Sequence, residues 1–198
     1  EINGALFVGF FPDTPTGTGN FDPFLRLGSG SGPIEQGYNT DYRPLEFDED
    51  ASWTTSQNLS EIPVIAFEYN GTISLYRELQ LDINQNASVE GKFISLDTVE
   101  IYITEDPNLH GYDTSTKFGS NATLVYDMDE LDDNWIKLDY TNNNGSGKRD
   151  LKMLIPNEWL TTDPRCVYQG PVPEDAPPSD CPFYFVLYNK FGLTYVNN

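Results

Sequence analysis

The chain has 198 residues, of which 38% are hydrophobic and 14% aromatic, and 31 acidic against 11 basic residues give a formal net charge of −20. This length predicts a single domain over residues 1–198, and the charge excludes nucleic acid as a natural partner because phosphate binding needs a basic face. Such a charge favours cations or neutral polysaccharides as partners, or a surface that self-repulsion keeps soluble.

Apolar and polar residues alternate with a period of two along most of the chain, which predicts β-strands. The segments 12–23 and 27–44, rich in Gly, Pro and Asn, predict loops. Asn70–Gly71 is the strongest hairpin signal in the sequence. Predicted strands in the first half of the chain are 5–11, 23–27, 43–47, 62–69 and 73–83.

The run 93–104 alternates cleanly apart from a slip at Asp97–Thr98, which predicts a β-bulge. Further alternating runs follow (ATLVYDM, WIKLDY, LKMLIP and FYFVLYNKFG), and only 156–162 predicts a short helical turn, which Pro156 would begin. About ten short strands with turns between them predict an all-β fold, an antiparallel β-sandwich of the jelly-roll kind. No stretch approaches the roughly 20 apolar residues of a membrane-spanning helix.

Catalytic motifs are absent from the sequence, which predicts that the protein is not an enzyme. The one histidine, His110, stands in a Gly- and Asp-flanked loop, so no Ser-His-Asp or Cys-His set can be assembled without it. A glycosidase needs only two carboxylates at the right separation. Among 31 acidic residues, however, the existence of such a pair carries no information.

Calcium is the better chemical candidate, because Ca²⁺ takes six to eight oxygen ligands and acids crowd at residues 127–133. Asp127-x-Asp129 resembles the start of an EF-hand loop, but Asp132 and Leu138 replace the glycine and glutamate that the motif requires. The alternative interpretation is a solvated turn between two strands. The predicted Ca²⁺ ligands are Asp127, Asp129, Asp132, Asp82, Asn84 and Asp97.

Exposed aromatic rings are what sandwich domains use to bind sugars, and this sequence offers one plausible platform. Tyr38 and Tyr42 stand in the Gly- and Asn-containing stretch EQGYNTDYRP, and Trp53 follows shortly after it. Most tyrosines of such a chain pack in the core or on strand surfaces. The predicted carbohydrate-binding residues are therefore Tyr38, Tyr42 and Trp53.

Cys166 and Cys181 bracket a segment with four prolines and three acids, which predicts a tethered excursion at 166–181. Two buried thiols are the alternative, but a disulfide is favoured, and it implies an oxidising compartment. Five Asn-x-Ser/Thr sequons predict surface loops in a host that glycosylates. They begin at Asn58, Asn70, Asn86, Asn121 and Asn144.

The stretches IEQGYNTDYRPLEFDED, YRELQLDINQN, FISLDTVEIYIT, LVYDMDELDDNWIKLDY and SGKRDLKMLIPNEWL, in this order, resemble secreted bacterial matrix and surface proteins. Many proteins of that group carry a C-terminal sorting signal of the PEP-CTERM-like kind, and they have no assigned activity. The resemblance implies export and a role at the cell surface or in a biofilm matrix. We expect an extracellular structural protein that self-assembles through edge strands, or alternatively a carbohydrate-binding module that takes polysaccharide.

Overall fold

The computed structural model describes residues 1–9, 22–28, 32–85, 92–143, 149–160, 163–167 and 179–196. Within these residues the regular structure is almost entirely β, interrupted by short 3-10 turns, of which Asn157–Trp159 is the predicted helical turn. The strands are β1 Leu6–Gly9, β2 Glu35–Tyr38, β3 Gln57–Asn58, β4 Val64–Tyr69, β5 Thr72–Leu81, β6 Phe93–Thr104, β7 Thr123–Asp127, β8 Ile136–Asp139, β9 Leu151–Pro156 and β10 Tyr184–Val196.

Two antiparallel sheets form the sandwich that the alternation predicted. Sheet 1 has the strand order β1-β9-β5-β4, and sheet 2 has the order β2-β10-β6-β7, with β3 also paired to β10 and β8 to β6. The hairpin β4–β5 turns at Asn70–Gly71, where both residues have positive φ, as this two-residue turn requires. The predicted all-β antiparallel sandwich is confirmed.

The main core lies between the two sheets. Sheet 1 contributes alternate residues such as Leu79, Met153 and Ile155, and sheet 2 contributes residues such as Ile101 and Phe185. Because successive side chains of a strand point to opposite faces, the intervening residues of each strand face away from this core.

Three details of the predicted strand pattern differ in the structure. Residues 35–38 form β2, although the prediction placed them in a loop. Residues 23–27 form only an isolated bridge, Leu27 with Glu49, while their side chains pack on the main core. Residues 43–47 form bends, because Phe47 donates its backbone N–H to the Glu49 carboxylate and packs its ring on Tyr38.

The predicted bulge at Asp97–Thr98 is confirmed. Thr98 pairs with Lys190 and Leu96 with Phe191, so Asp97 is the extra residue of β6. Beyond it, Ile94 pairs with Val196, which leaves Gly192 to Tyr195 as an excursion of β10 opposite Ser95. The two irregularities lie side by side in the middle of sheet 2.

A second buried cluster covers the outer face of sheet 2. Its rings meet edge to face, with Phe118 at 4.9 Å from both Tyr38 and Tyr102 between ring centroids. Tyr112 stacks on Tyr188 at 4.1 Å. Segments 41–53 and 105–122 thus close over this face, which leaves less of sheet 2 in contact with solvent than a two-layer sandwich alone would.

Candidate functional site

The predicted disulfide between Cys166 and Cys181 is present, with its Cα atoms 4.8 Å apart. Both cysteines are buried, and side chains from elsewhere in the fold hold their carbonyl groups. Arg77 donates from Nη2 to the Cys166 carbonyl at 2.8 Å, and Asn58 donates from Nδ2 to the Cys181 carbonyl at 3.0 Å. The segment 168–178 between the cysteines lies outside the described residues.

Arg77 is the buried cation that joins the disulfide to sheet 1. Its guanidinium donates to the carbonyls of Leu59 and Ile62 and, at 2.8 Å, to the Asn157 amide oxygen. Burial lowers the pKa of Arg77 to about 10. Because each of the three guanidinium nitrogens donates to an oxygen, the charge is accommodated without a carboxylate.

The acidic loop 127–133 is shaped by its own hydrogen bonds. The Asp127 carboxylate accepts the Asp129 N–H at 2.9 Å, and the Asp129 carboxylate accepts the Asn134 N–H at 3.0 Å. Asn3 clamps the loop from outside by donating to the carbonyls of Asp127 and Met128. Burial, followed by the charges of Asp127 and Asp133, raises the pKa of Asp129. The electrostatic crowding inferred from the sequence is therefore present.

The predicted calcium ligands are not gathered into one site. In the described part of the chain, no three His, Cys, Asp or Glu side chains are arranged to hold a metal ion. Asp132 is exposed on the loop 127–133, whereas Asp82 and Asn84 follow β5 in the other sheet. Calcium binding at the loop 127–133 stays a prediction, because the described side chains form no such group there either.

Asp97 has a different role from the one predicted. Its carboxylate is buried and accepts the Ser95 hydroxyl at 2.7 Å and the backbone N–H groups of Leu193 at 2.7 Å and Thr194 at 2.9 Å. Burial acts to raise the pKa of Asp97, but these hydrogen bonds outweigh burial and hold the pKa below its usual value. The carboxylate therefore secures the excursion of β10 and does not face the loop 127–133 as a metal ligand.

The predicted sugar platform is only partly exposed. Tyr38 is 0% exposed and donates its hydroxyl to Glu46 at 2.5 Å, so its prediction as a platform residue is wrong. The reason is that segments 41–53 and 105–122 cover the outer face of sheet 2. Tyr42 has one face occupied by the His110 ring, stacked at 4.1 Å. Trp53 is 47% exposed and is the most exposed of the three predicted platform residues.

A buried polar group that the sequence did not reveal lies beneath Tyr112. Glu100 is 0% exposed, and its carboxylate contacts the Lys117 ammonium and accepts the hydroxyls of Tyr102 and Tyr112, the latter at 3.0 Å. Burial, reinforced by the nearby Glu100 charge, raises the pKa of Tyr102 and of Tyr112. These partners satisfy the carboxylate, so the cluster fastens segment 105–122 to β6.

The sequons differ in whether their asparagines can carry a glycan. Asn70 and Asn121 are exposed. Asn58 is buried, and its Nδ2, the atom that would carry the sugar, donates to Cys181, so its prediction as a surface position is wrong. Asn86 and Asn144 lie outside the described residues.

The two outer strands of sheet 1, β1 and β4, form edges that carry little charge. In the described residues, β4 pairs only with β5, and β1 only with β9. Strand β1 has no charged residue, and Glu68 is the only charged residue in the fifteen-residue sequence IPVIAFEYNGTISLY, which contains β4. The hairpin β4–β5 leaves Ile73 70% and Leu75 56% exposed. Apolar, weakly charged strand edges are a template for pairing with another strand.

Charge on the strands of sheet 2 contrasts with this surface. Glu35 lies in β2, Asp127 in β7, and Lys137 and Asp139 in β8. Charged residues on outer strands oppose edge-to-edge pairing. The outer strands of sheet 1 carry one charged residue, Glu68, against these four in the outer strands of sheet 2.

Among the described residues, no helix has the length and apolar character needed to cross a membrane. Comparisons of the chain with protein-family models, with curated proteins and with solved structures find no match.

Proposed function

We propose that the protein is a secreted, extracellular structural protein, a subunit of a matrix, adhesin or filament. The observation that carries this proposal is sheet 1, whose outer strands β1 and β4 are almost uncharged in a chain of net charge −20. Copies with the same large net charge repel each other, and this repulsion is weakest where charged residues are sparse. Sheet 1 offers two such places together with exposed Ile73 and Leu75.

Two further features support a location outside the cytoplasm. The Cys166–Cys181 disulfide is of a kind that persists in oxidising compartments. The sequons at Asn70 and Asn121 are on the surface, where a glycosylating host would reach them. Calcium bound at 127–133 would stabilise the subunit by neutralising crowded carboxylates.

Light scattering after size exclusion, together with electron microscopy of the same fractions, tests the structural proposal. We expect concentration-dependent multimers with the width of one domain in at least one direction. A strictly monomeric protein at millimolar concentration, with and without calcium, would contradict a self-assembling subunit.

A carbohydrate-binding module is the second candidate, and the exposed ring of Trp53 is the observation that favours it. Trp53→Ala removes sugar stacking on this exposed ring. Trp135→Ala serves as the matched control because Trp135 is 43% exposed elsewhere. Saturable binding on a glycan array that Trp53→Ala abolishes and Trp135→Ala leaves unchanged would establish the module.

A further inference from the structure

We propose that copies of this protein join head to tail through sheet 1, with β4 of one copy pairing antiparallel with β1 of the next. This inference rests on the proposed structural function and names the partner, a second copy, and the two strands that meet. Such a contact joins two different surfaces and is therefore heterologous, so every added copy leaves one free strand to which the next copy can bind. Repeated addition produces a filament in which sheet 1 of successive copies forms one continuous sheet.

The direction of the strands permits this contact. Strand β1 is antiparallel to β9, β9 to β5, and β5 to β4. Strands β1 and β4 of one copy therefore run in opposite directions. A second copy placed beside the first in the same orientation brings its β1 antiparallel to the first copy's β4. The combined sheet continues the alternation of strand direction without inverting either molecule.

The two strands also match in face and length. Phe7 faces the main core, whereas Leu6 belongs to the apolar cluster on the outer face of sheet 1, together with Tyr76 and Leu154. Ile65 and Phe67 pack against that same cluster. Only registers that place Leu6 and Val8 opposite residues on the face of Ile65 and Phe67 keep both faces consistent, because a one-residue slip exchanges the faces of a strand.

Two such registers use all four residues of β1, and the one that keeps Glu68 unpaired joins Leu6 to Phe67, Phe7 to Ala66, Val8 to Ile65 and Gly9 to Val64. It also puts Phe7 of the second copy beside Ala66, whose small side chain gives the ring access to Leu75, the residue directly across from Ala66 in the hairpin. Leu75 is then covered, which accounts for its exposure in a single copy.

Cysteine crosslinking tests the contact and its register. In the double variant Val8→Cys with Ile65→Cys, the new thiols of one copy lie on strands separated by β9 and β5, about 14 Å at the usual strand spacing. This distance is too large for a disulfide within one copy. Oxidation should therefore link copies into a ladder of multimers, whereas Val8→Cys or Ile65→Cys alone should give no ladder. Dimers from either single variant would instead indicate a symmetric contact and overturn the head-to-tail arrangement.

A charge at the edge supplies a test without crosslinks. Ala66→Lys places a lysine on exposed β4, and Ser74→Lys makes the same charge change at an exposed residue of β5 in the same hairpin. We expect Ala66→Lys to lower the multimer fraction about tenfold, because lysine on an outer strand blocks pairing, and Ser74→Lys to leave it unchanged. If wild-type protein assembles and Ala66→Lys assembles equally well, the head-to-tail contact is wrong and the structural function stands. If wild-type protein never assembles, both fail.

Discussion

A single carboxylate, that of Asp97, determines the path of β10. The extra residue in β6 turns this side chain toward the excursion Gly192–Tyr195, where it accepts two backbone N–H groups that have left the ladder. A buried carboxylate without hydrogen-bond donors is costly, so the bulge and the excursion stabilise each other. At the residue scale, Asp97 is a structural residue.

Replacement of Asp97 by Ala should lower the free energy of unfolding by about 3 kcal/mol, because a buried carboxylate that accepts hydrogen bonds from Ser95, Leu193 and Thr194 is lost. Asp97→Asn, which keeps one acceptor oxygen, should cost less than Asp97→Ala. Urea unfolding at neutral pH measures both, and Asp132→Ala, a change at an exposed loop acid, is the control. Equal stability of Asp97→Ala and wild type would show that water replaces the carboxylate.

The stability that Asp97 contributes depends on pH. Its folded pKa lies below the ordinary value of about 3.9, so its contribution is present above that pH and is lost as the pH falls through the folded pKa. The difference in stability between wild type and Asp97→Ala should therefore shrink below about pH 4.

At the scale of elements, the disulfide, the turn Leu59–Glu61 and β5 act as one unit. Arg77 of β5 donates to the Leu59 carbonyl in the turn and to the Cys166 carbonyl at the disulfide. Asn58 donates to the carbonyl of the other cysteine, Cys181. The Cys166–Cys181 bond closes a loop with a sequence separation of 15. The bond therefore limits the freedom of a segment that also holds the partners of a buried cation.

Replacement of both cysteines by Ala should lower the free energy of unfolding by roughly 3 kcal/mol, the chain-entropy estimate for a loop of this length. Denaturant unfolding of the double variant, and of wild type with and without reductant, gives the comparison. The reductant should have no effect on the double variant. A loss well below 1 kcal/mol would mean that the unfolded chain is already compact around this segment.

Features that depend on residues close together in the sequence were predictable, whereas features that depend on contacts between distant residues were not. Asn70–Gly71 and the slip at Asp97 are encoded within a few residues, and both were predictable. The burial of Tyr38 was not, because it depends on Phe118, which is eighty residues away in the sequence. For the same reason Asp97 was interpreted as a possible ligand, since its partners at Leu193 and Thr194 are almost a hundred residues downstream.

At the scale of the whole molecule, acidic residues far outnumber basic ones and the net charge is −20. Several carboxyl groups have raised pKa values in the folded protein. Burial, followed by neighbouring acids, raises the pKa of Glu35 and contributes to the raised pKa of Asp129. Burial is also the largest cause of the raised pKa values of Glu49 and Glu61. Folding therefore favours proton uptake by these groups.

The protein should be more stable at about pH 5 than at pH 7.5 and should lose stability again below about pH 4. A group with a raised folded pKa contributes stability below its unfolded pKa and loses that contribution as the pH rises, whereas groups such as Asp97 act in the opposite sense. Melting temperatures at constant ionic strength check this, and Glu35→Gln should flatten the upper part of the profile. A monotonic rise in melting temperature from pH 4 to 8 would contradict it.

Calcium should raise the melting temperature more than magnesium does at matched ionic strength, with EDTA as the reference. Binding to the folded state alone stabilises by about 2.7 kcal/mol at a hundredfold excess over Kd. The variant Asp127→Asn with Asp129→Asn should lose the difference between the two ions, whereas Asp82→Asn should keep it. Equal effects of Ca²⁺ and Mg²⁺ on wild type would leave the loop 127–133 as a solvated turn.

The central position of β10 in sheet 2 has a consequence for synthesis. This strand is hydrogen-bonded to β2, β3 and β6, yet it is synthesised after the other nine strands of the described residues. A nascent chain that ends before Tyr184 has no partner for β2 and β3 and lacks Phe185 and Leu187 from the core. Sheet 2 therefore cannot close until residues 184–196 have been made, and until then β2 and β3 lack the strand with which they pair.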